Sequence, residues 1–136
     1  MENGGKNTIL IVEDESDLAD IYATKFTIDG YQVLLAGDGD AGLEMARDKH
    51  PDLILLDVIL PKKNGYDTLQ ALKADRRTRD IPVVILSNMG QAYEVKHGLK
   101  LGADKYLIKT DYTPAEVVRE VRATLDEKVK GADAKS

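Results

Sequence analysis

A chain of 136 residues suffices for one domain that buries roughly two-thirds of the surface its unfolded form exposes, so the core needs no covalent staples. It holds no cysteine, which excludes disulfide frameworks and thiolate metal sites and suits a reducing compartment. A net charge of -5 with its lysines and arginines scattered disfavours direct nucleic-acid binding, and with neither a signal-like start nor an apolar run of transmembrane length the chain reads as cytoplasmic, without membrane insertion.

The polar start MENGGKN makes residues 1–6 a flexible lead-in, and "TILIV" at 8–12 is the first strand, closed by Glu13 and Asp14. A first helix follows, with Leu18, Ile21, Lys25 and Ile28 expected on its inner face. "YQVLLA" (31–36) reads as the second strand, and "DLILL" (52–56) as the third, the most apolar, which ends against Asp57. "IPVVIL" (81–86) is the fourth strand, followed by Ser87 and then by a helix with Val95 and Leu99 on one face. "DKYLI" (104–108) is the fifth, followed by Lys109. The last helix opens at "TPAE", with Thr113 at N-cap, Pro114 at N1 and Glu116 at N3 of a capping box, and presents Val117, Val121 and Leu125 to the core. The domain proper is expected over 7–129, and the polar stretch 130–136 as a flexible tail.

Strand and helix thus alternate five times, and several strands are almost continuously apolar, as strands buried on both faces of a parallel sheet are. The expectation is a single doubly wound (βα)5 α/β domain with helices on both faces. In such a sheet the residues that close the strands share one carboxyl edge, where open α/β folds bind ligands. Glu13, Asp14, Asp57, Ser87 and Lys109 all fall there.

Singly, most of these residues have ordinary structural readings. Asp14, Glu15 and Asp17 suit the start of a helix, Ser87 suits a turn, and Lys109 a solvated loop. His50 and His97 have no partner at metal-ligand spacing and read as surface or packing residues. Jointly the set makes chemical sense. Converging carboxylates repel, a hard divalent cation such as Mg²⁺ relieves that repulsion, and one carboxylate can then attack phosphorus while a lysine and a hydroxyl steady the transferred group.

The stretches "ILIVEDE", "LILLDVILPKKNG", "VVILSN" and "GADKYLIK" together resemble the receiver domain of two-component response regulators over about residues 7 to 129. The resemblance implies a flavodoxin-like sheet of strand order 2-1-3-4-5. It makes Asp57 the residue phosphorylated by a sensor histidine kinase or phosphotransfer protein, and it gives Mg²⁺, or another divalent cation such as Mn²⁺, the ligands Glu13, Asp14, Asp57 and the Ile59 carbonyl. Ser87 becomes the switch hydroxyl, Tyr106 the coupled switch aromatic, and Lys109 the phosphate-pairing ammonium. Output is expected through the face of the fourth helix, fifth strand and fifth helix, onto a protein partner or a phosphorylation-dependent homodimer. As read, the chain is a stand-alone receiver.

Two positions depart from the family pattern. Leu60 stands where many members have Met, a near-isosteric exchange. Thr110 follows Lys109 where proline, often in a cis peptide, is usual, so a trans bond or a rebuilt loop is expected. Other readings remain: an aspartyl-nucleophile phosphatase, although Ile59 occupies the place of its usual second Asp; a flavodoxin-like cofactor binder, although "VEDES" replaces a Gly-rich loop; and a binding module with an inactive pocket.

Overall fold

The computed structural model describes residues 7–61 and 64–135, with side chains described as far as Lys128. The lead-in expected at 1–6, the Lys62–Lys63 pair and Ser136 lie outside the described residues.

Five strands, β1 (Thr8–Val12), β2 (Gln32–Ala36), β3 (Leu53–Leu56), β4 (Val83–Ser87) and β5 (Lys105–Ile108), alternate with five helices, α1 (Ser16–Ile28), α2 (Gly39–Lys49), α3 (Gly65–Ala74), α4 (Ala92–Lys100) and α5 (Pro114–Lys135). All strand pairs are parallel, in the order β2-β1-β3-β4-β5. Alternate residues of each strand feed opposite cores. Leu10, Val12, Ile54, Leu56, Val83 and Ile85 meet α2 and α3, while Ile9, Ile11, Leu53, Leu55, Val84 and Leu86 meet Tyr22 and Phe26 of α1 and Val117, Val121 and Leu125 of α5. The two outer strands are less enclosed: Gln32 and Leu35 of β2 are exposed.

Local chemistry sets the helix ends. Asp38 accepts from the Ala41 N–H at 2.8 Å to start α2, and Asn64 accepts from the Asp67 N–H at 3.0 Å to start α3. At α5 the capping box closes both ways, with Thr113 N–H to Glu116 Oε1 at 2.8 Å and Glu116 N–H to Thr113 Oγ1 at 3.1 Å. Helical backbone then continues to Lys135, past the boundary expected near Val129.

Two helix faces differ from their sequence patterns. On α1 the buried residues are Ala19, Tyr22 and Phe26, while Ile21 and Ile28 are 48% and 73% exposed. The two rings bury more apolar area than the isoleucines and turn the helix by one residue. On α4 only Gly98 is fully buried and Leu99 faces out. A Cβ at Gly98 would stand 2.7 Å from Ile85 Cδ1 and 2.9 Å from Tyr106 Cδ2, so the missing side chain lets α4 lie directly on β4 and β5.

Candidate functional site

The sheet register brings the candidate residues together. Val12 pairs with Leu56, the Asp57 N–H donates to the Val12 carbonyl at 3.1 Å, and the Glu13 N–H to the Ala36 carbonyl at 3.0 Å. Glu13 and Asp57 therefore leave adjacent strands side by side. Ser87 ends β4 opposite Ile108, and Lys109 is one residue beyond it.

Carboxylate oxygens of Glu13, Asp14 and Asp57 lie within 4.8 Å of one another, with Glu13 and Asp57 buried and Asp14 exposed. The Lys109 ammonium bridges two of them, 2.8 Å from Glu13 Oε1 and 2.9 Å from Asp57 Oδ2. Backbone donors take the remaining oxygens: the Ile59 N–H reaches Asp57 Oδ1 at 3.1 Å and the Glu15 N–H reaches Glu13 Oε2 at 3.2 Å. The cap at Glu15 makes no side-chain hydrogen bond, so the acids after β1 turn to the crevice instead of capping α1.

Burial pushes the Glu13 carboxyl above its ordinary value; the Lys109 hydrogen bond opposes this shift and the Asp57 charge reinforces it. Burial also works against the Lys109 ammonium, but its hydrogen bonds to Glu13 and Asp57 outweigh that and hold its pKa above the usual lysine value. One shared ammonium leaves three carboxylates two charges short of neutrality, the deficit a divalent cation makes good. The donors are all hard oxygens, which fits Mg²⁺ or Mn²⁺ and not a thiophilic metal. Ile59, the expected carbonyl ligand, occupies the loop just after Asp57, with its side chain exposed.

That loop is shaped by Gly65. Its N–H donates to the Val58 carbonyl at 2.8 Å, and a Cβ there would lie 2.3 Å from the Asp57 carbonyl oxygen and from Val58 Cα. Only glycine lets α3 begin against the backbone that carries Asp57.

On the other flank, Ser87 is fully buried and its Oγ accepts from the Met89 N–H at 3.1 Å; α4 begins only at Ala92, so Ser87 is not that helix's cap. Tyr106 donates to the carbonyl of the same Met89 at 2.7 Å, with its half-buried ring on the core side of α4. Ser87 and Tyr106 thus grip one residue's N–H and C=O. The Lys109–Thr110 peptide is trans, like every peptide bond among the described residues, and a single 3₁₀ turn over Lys109–Asp111 replaces the proline-shaped loop.

Sequence reasoning missed Tyr66 and Glu94. The Tyr66 hydroxyl donates to Glu94 Oε2 at 2.6 Å and lies 3.2 Å from the Tyr106 hydroxyl. A tyrosine one residue after Gly65 was the available signal, but its partners are 28 and 40 residues away in sequence. His97 packs against Tyr66 with ring centroids 4.7 Å apart, and exposed His50 ends α2 in a left-handed conformation at φ 48°.

Comparison with known proteins agrees with this geometry. Residues 9–122 match the family described as response regulator receiver domain. The chain is similar to the probable transcriptional regulator ycf27 of Porphyra purpurea, 38% identical over 125 residues, which cover 92% of this chain and 49% of that protein. It is also similar to the transcriptional regulatory protein CpxR of Escherichia coli K12, 41% identical over 119 residues, 88% of this chain and 49% of CpxR. Among solved structures, the BeF3-activated N-terminal receiver domain of Klebsiella pneumoniae RstA superposes with a TM-score of 0.81 at 28% identity, covering 88% of this chain and 98% of that one. The chain spans about half the length of the curated relatives it matches.

Proposed function

Because the chain belongs to the response regulator receiver domain family of two-component systems, we propose that it is a phosphorylation-activated switch whose phosphoacceptor is Asp57. The observation that carries this reading is a buried aspartate at the end of the most apolar strand, held between the Lys109 ammonium and the carboxylates of Glu13 and Asp14. In the reaction an Asp57 carboxylate oxygen attacks phosphorus and forms the new O–P bond. The donor's P–N bond breaks, and its electron pair leaves with the imidazole of a histidine kinase or phosphotransfer protein.

Glu13, Asp14, Asp57 and the Ile59 carbonyl would hold Mg²⁺ or Mn²⁺, which when bound neutralises the carboxylates and the incoming phosphoryl oxygens. The other roles fall to the chain itself. Lys109 already donates to Asp57, and with phosphate in place its ammonium pairs with a phosphoryl oxygen instead. The Ser87 hydroxyl, now an acceptor from Met89, turns to donate to the phosphoryl group. That releases the Met89 N–H, and the change reaches α4 and β5 through Tyr106, which holds the Met89 carbonyl.

Output passes through the face of α4, β5 and α5 to a protein partner, a second phosphorylated copy, or a further segment of a longer chain. The relatives named above are transcriptional regulators, so a DNA-binding effector is one such recipient. The chain's charge gives the receiver itself no basic stripe for nucleic acid. No helix among the described residues is long and apolar enough to cross a membrane, and we place the switch in the cytoplasm, where histidine kinases present their phosphoryl groups.

The test is incubation with Mg²⁺ and a small phosphodonor. Intact mass should show one labile phosphoryl group that is absent in Asp57→Ala and without divalent cation. A chain that gains none, or an Asp57→Ala variant that gains as much, sinks the proposal.

A further inference from the structure

The switch reading uses Ser87, Tyr106 and Lys109, yet Tyr106 is bonded on two sides. Its hydroxyl donates to the Met89 carbonyl at 2.7 Å and lies 3.2 Å from the Tyr66 hydroxyl. Each phenol has a single proton. Tyr66 spends its own on Glu94 Oε2 at 2.6 Å, with the Glu94 carbonyl a longer second acceptor at 3.4 Å. The Tyr66 oxygen is therefore left to face Tyr106 as an acceptor, while the Tyr106 proton lies on the Met89 carbonyl and becomes available to Tyr66 as that carbonyl draws away. Burial, then the contacts with Glu94 and Tyr106, raise the Tyr66 pKa far above that of a free phenol, so it stays a neutral donor. The His97 ring meets the Tyr66 ring edge-on, and Gly98 leaves room for Tyr106 beneath α4. Four parts of the fold converge on one pair of hydroxyls: α3 through Tyr66, the β4–α4 loop through Met89, α4 through Glu94, and β5 through Tyr106.

We propose that Tyr66 and Glu94 are positioning residues of the switch, a latch that holds Tyr106 inward and ties the first turn of α4 to α3. The inference rests on the switch reading and extends it to two residues outside the phosphorylation site. When Ser87 turns toward a phosphoryl group, the inward Tyr106 fills the space it leaves and so belongs to the phosphorylated state, and as the Met89 peptide loses its N–H contact and slackens its hold, the Tyr106 proton passes to Tyr66. Tyr66, fixed by Glu94, is the anchor that does not depend on that peptide. A contact that favours the inward Tyr106 must favour whatever ligand favours the same state, because coupling between two sites is reciprocal.

The experiment measures affinity for beryllofluoride in the presence of Mg²⁺, with thermal midpoints recorded for every variant. Tyr66→Phe keeps the ring and its contact with His97 but removes the hydroxyl, and it should bind the mimic about fivefold more weakly, the effect of losing one neutral hydrogen bond. Glu94→Ala should match it, the double variant should be no weaker than either single one, and Glu94→Gln, which keeps an acceptor oxygen, should return to near the wild-type affinity. NMR signals of the Tyr106 ring should move toward a solvent-exposed environment in Tyr66→Phe and not in Glu94→Gln. Wild-type affinity and an unmoved Tyr106 in Tyr66→Phe overturn the latch while leaving the switch intact; so does a lowered midpoint with unchanged affinity, which marks a merely structural contact. A wild-type chain that binds no mimic overturns the switch reading and the latch with it.

Discussion

Lys109 Nζ lies 2.9 Å from Asp57 Oδ2, reaching across the crevice from the end of β5 even though Thr110 follows it. The 3₁₀ turn over Lys109–Asp111 therefore aims the ammonium without a proline. The same ammonium holds Glu13, and all three side chains are at most 10% exposed. Removing it leaves two buried carboxylates facing each other. Lys109→Met should lower stability at neutral pH by about 2 kcal/mol, less than for a fully enclosed pair because the crevice is open where Asp14 is exposed. Denaturant melts check this, and added Mg²⁺ should recover part of the loss. A melt unchanged by the substitution would mean that the ammonium bears no charge burden in the apo site.

Gly65 tests the backbone of the site. A Cβ would meet the Asp57 carbonyl oxygen at 2.3 Å, and main chain cannot swing away as a flexible side chain can. Gly65→Ala should cost more than about 3 kcal/mol or force the loop after Asp57 to move, with phosphorylation slowed in any folded fraction. Gly37→Ala is the control, since a Cβ there meets nothing within 4 Å. Equal stability of the two variants would rule out the close approach.

The fold was legible because alternation and apolar continuity are local signals. Strand β1 and the α5 capping box appear where the residues put them. The inner face of α1 was misread because counting aliphatic residues ignores size: Tyr22 and Phe26 displace Ile21 and Ile28 from the core. The acids and the lysine were legible as chemistry, since polar residues closing apolar strands are expensive unless they serve one another. Tyr66 and Glu94 were not, because each is an ordinary helix residue until the fold sets Tyr106 between them and Met89.

Far from the site, Asp75 after α3 gives a second electrostatic prediction. Hydrogen bonds from the Arg77 side chain and backbone, and from Arg47, hold its carboxyl well below the ordinary value. A carboxyl depressed in the folded state contributes stability above the unfolded value, and that contribution fades as pH falls through the folded one. Asp75→Asn should therefore melt below wild type at neutral pH, with the gap constant down to about pH 4 and narrowing under it. High salt should shrink the Arg77 part of the effect, since that guanidinium is 65% exposed on its side chain. A gap that does not change with acid would assign the effect to packing.

Glu13 carries the opposite sign. Burial raises its carboxyl above the ordinary 4.5, so folding favours the protonated form. That stabilising contribution is greatest below the unfolded value and is lost as pH rises through the folded one, where the ionised Glu13 adds to the charge deficit beside Asp57. A cation needs the ionised form, so Mg²⁺ competes with a proton at Glu13. Affinity should weaken on acidification while a solvent-exposed carboxylate would still be ionised, and the rise in melting temperature given by Mg²⁺ should be larger at neutral than at acid pH. Glu13→Gln should bind Mg²⁺ more weakly at neutral pH and lose the part of this dependence that Glu13 sets. Amide shifts near Asp14 and Asp57, followed through Mg²⁺ titrations at several pH values, measure both effects. If wild type and Glu13→Gln give parallel affinity profiles, Glu13 is not a ligand, and the cation is held by the two aspartates and the loop after β3.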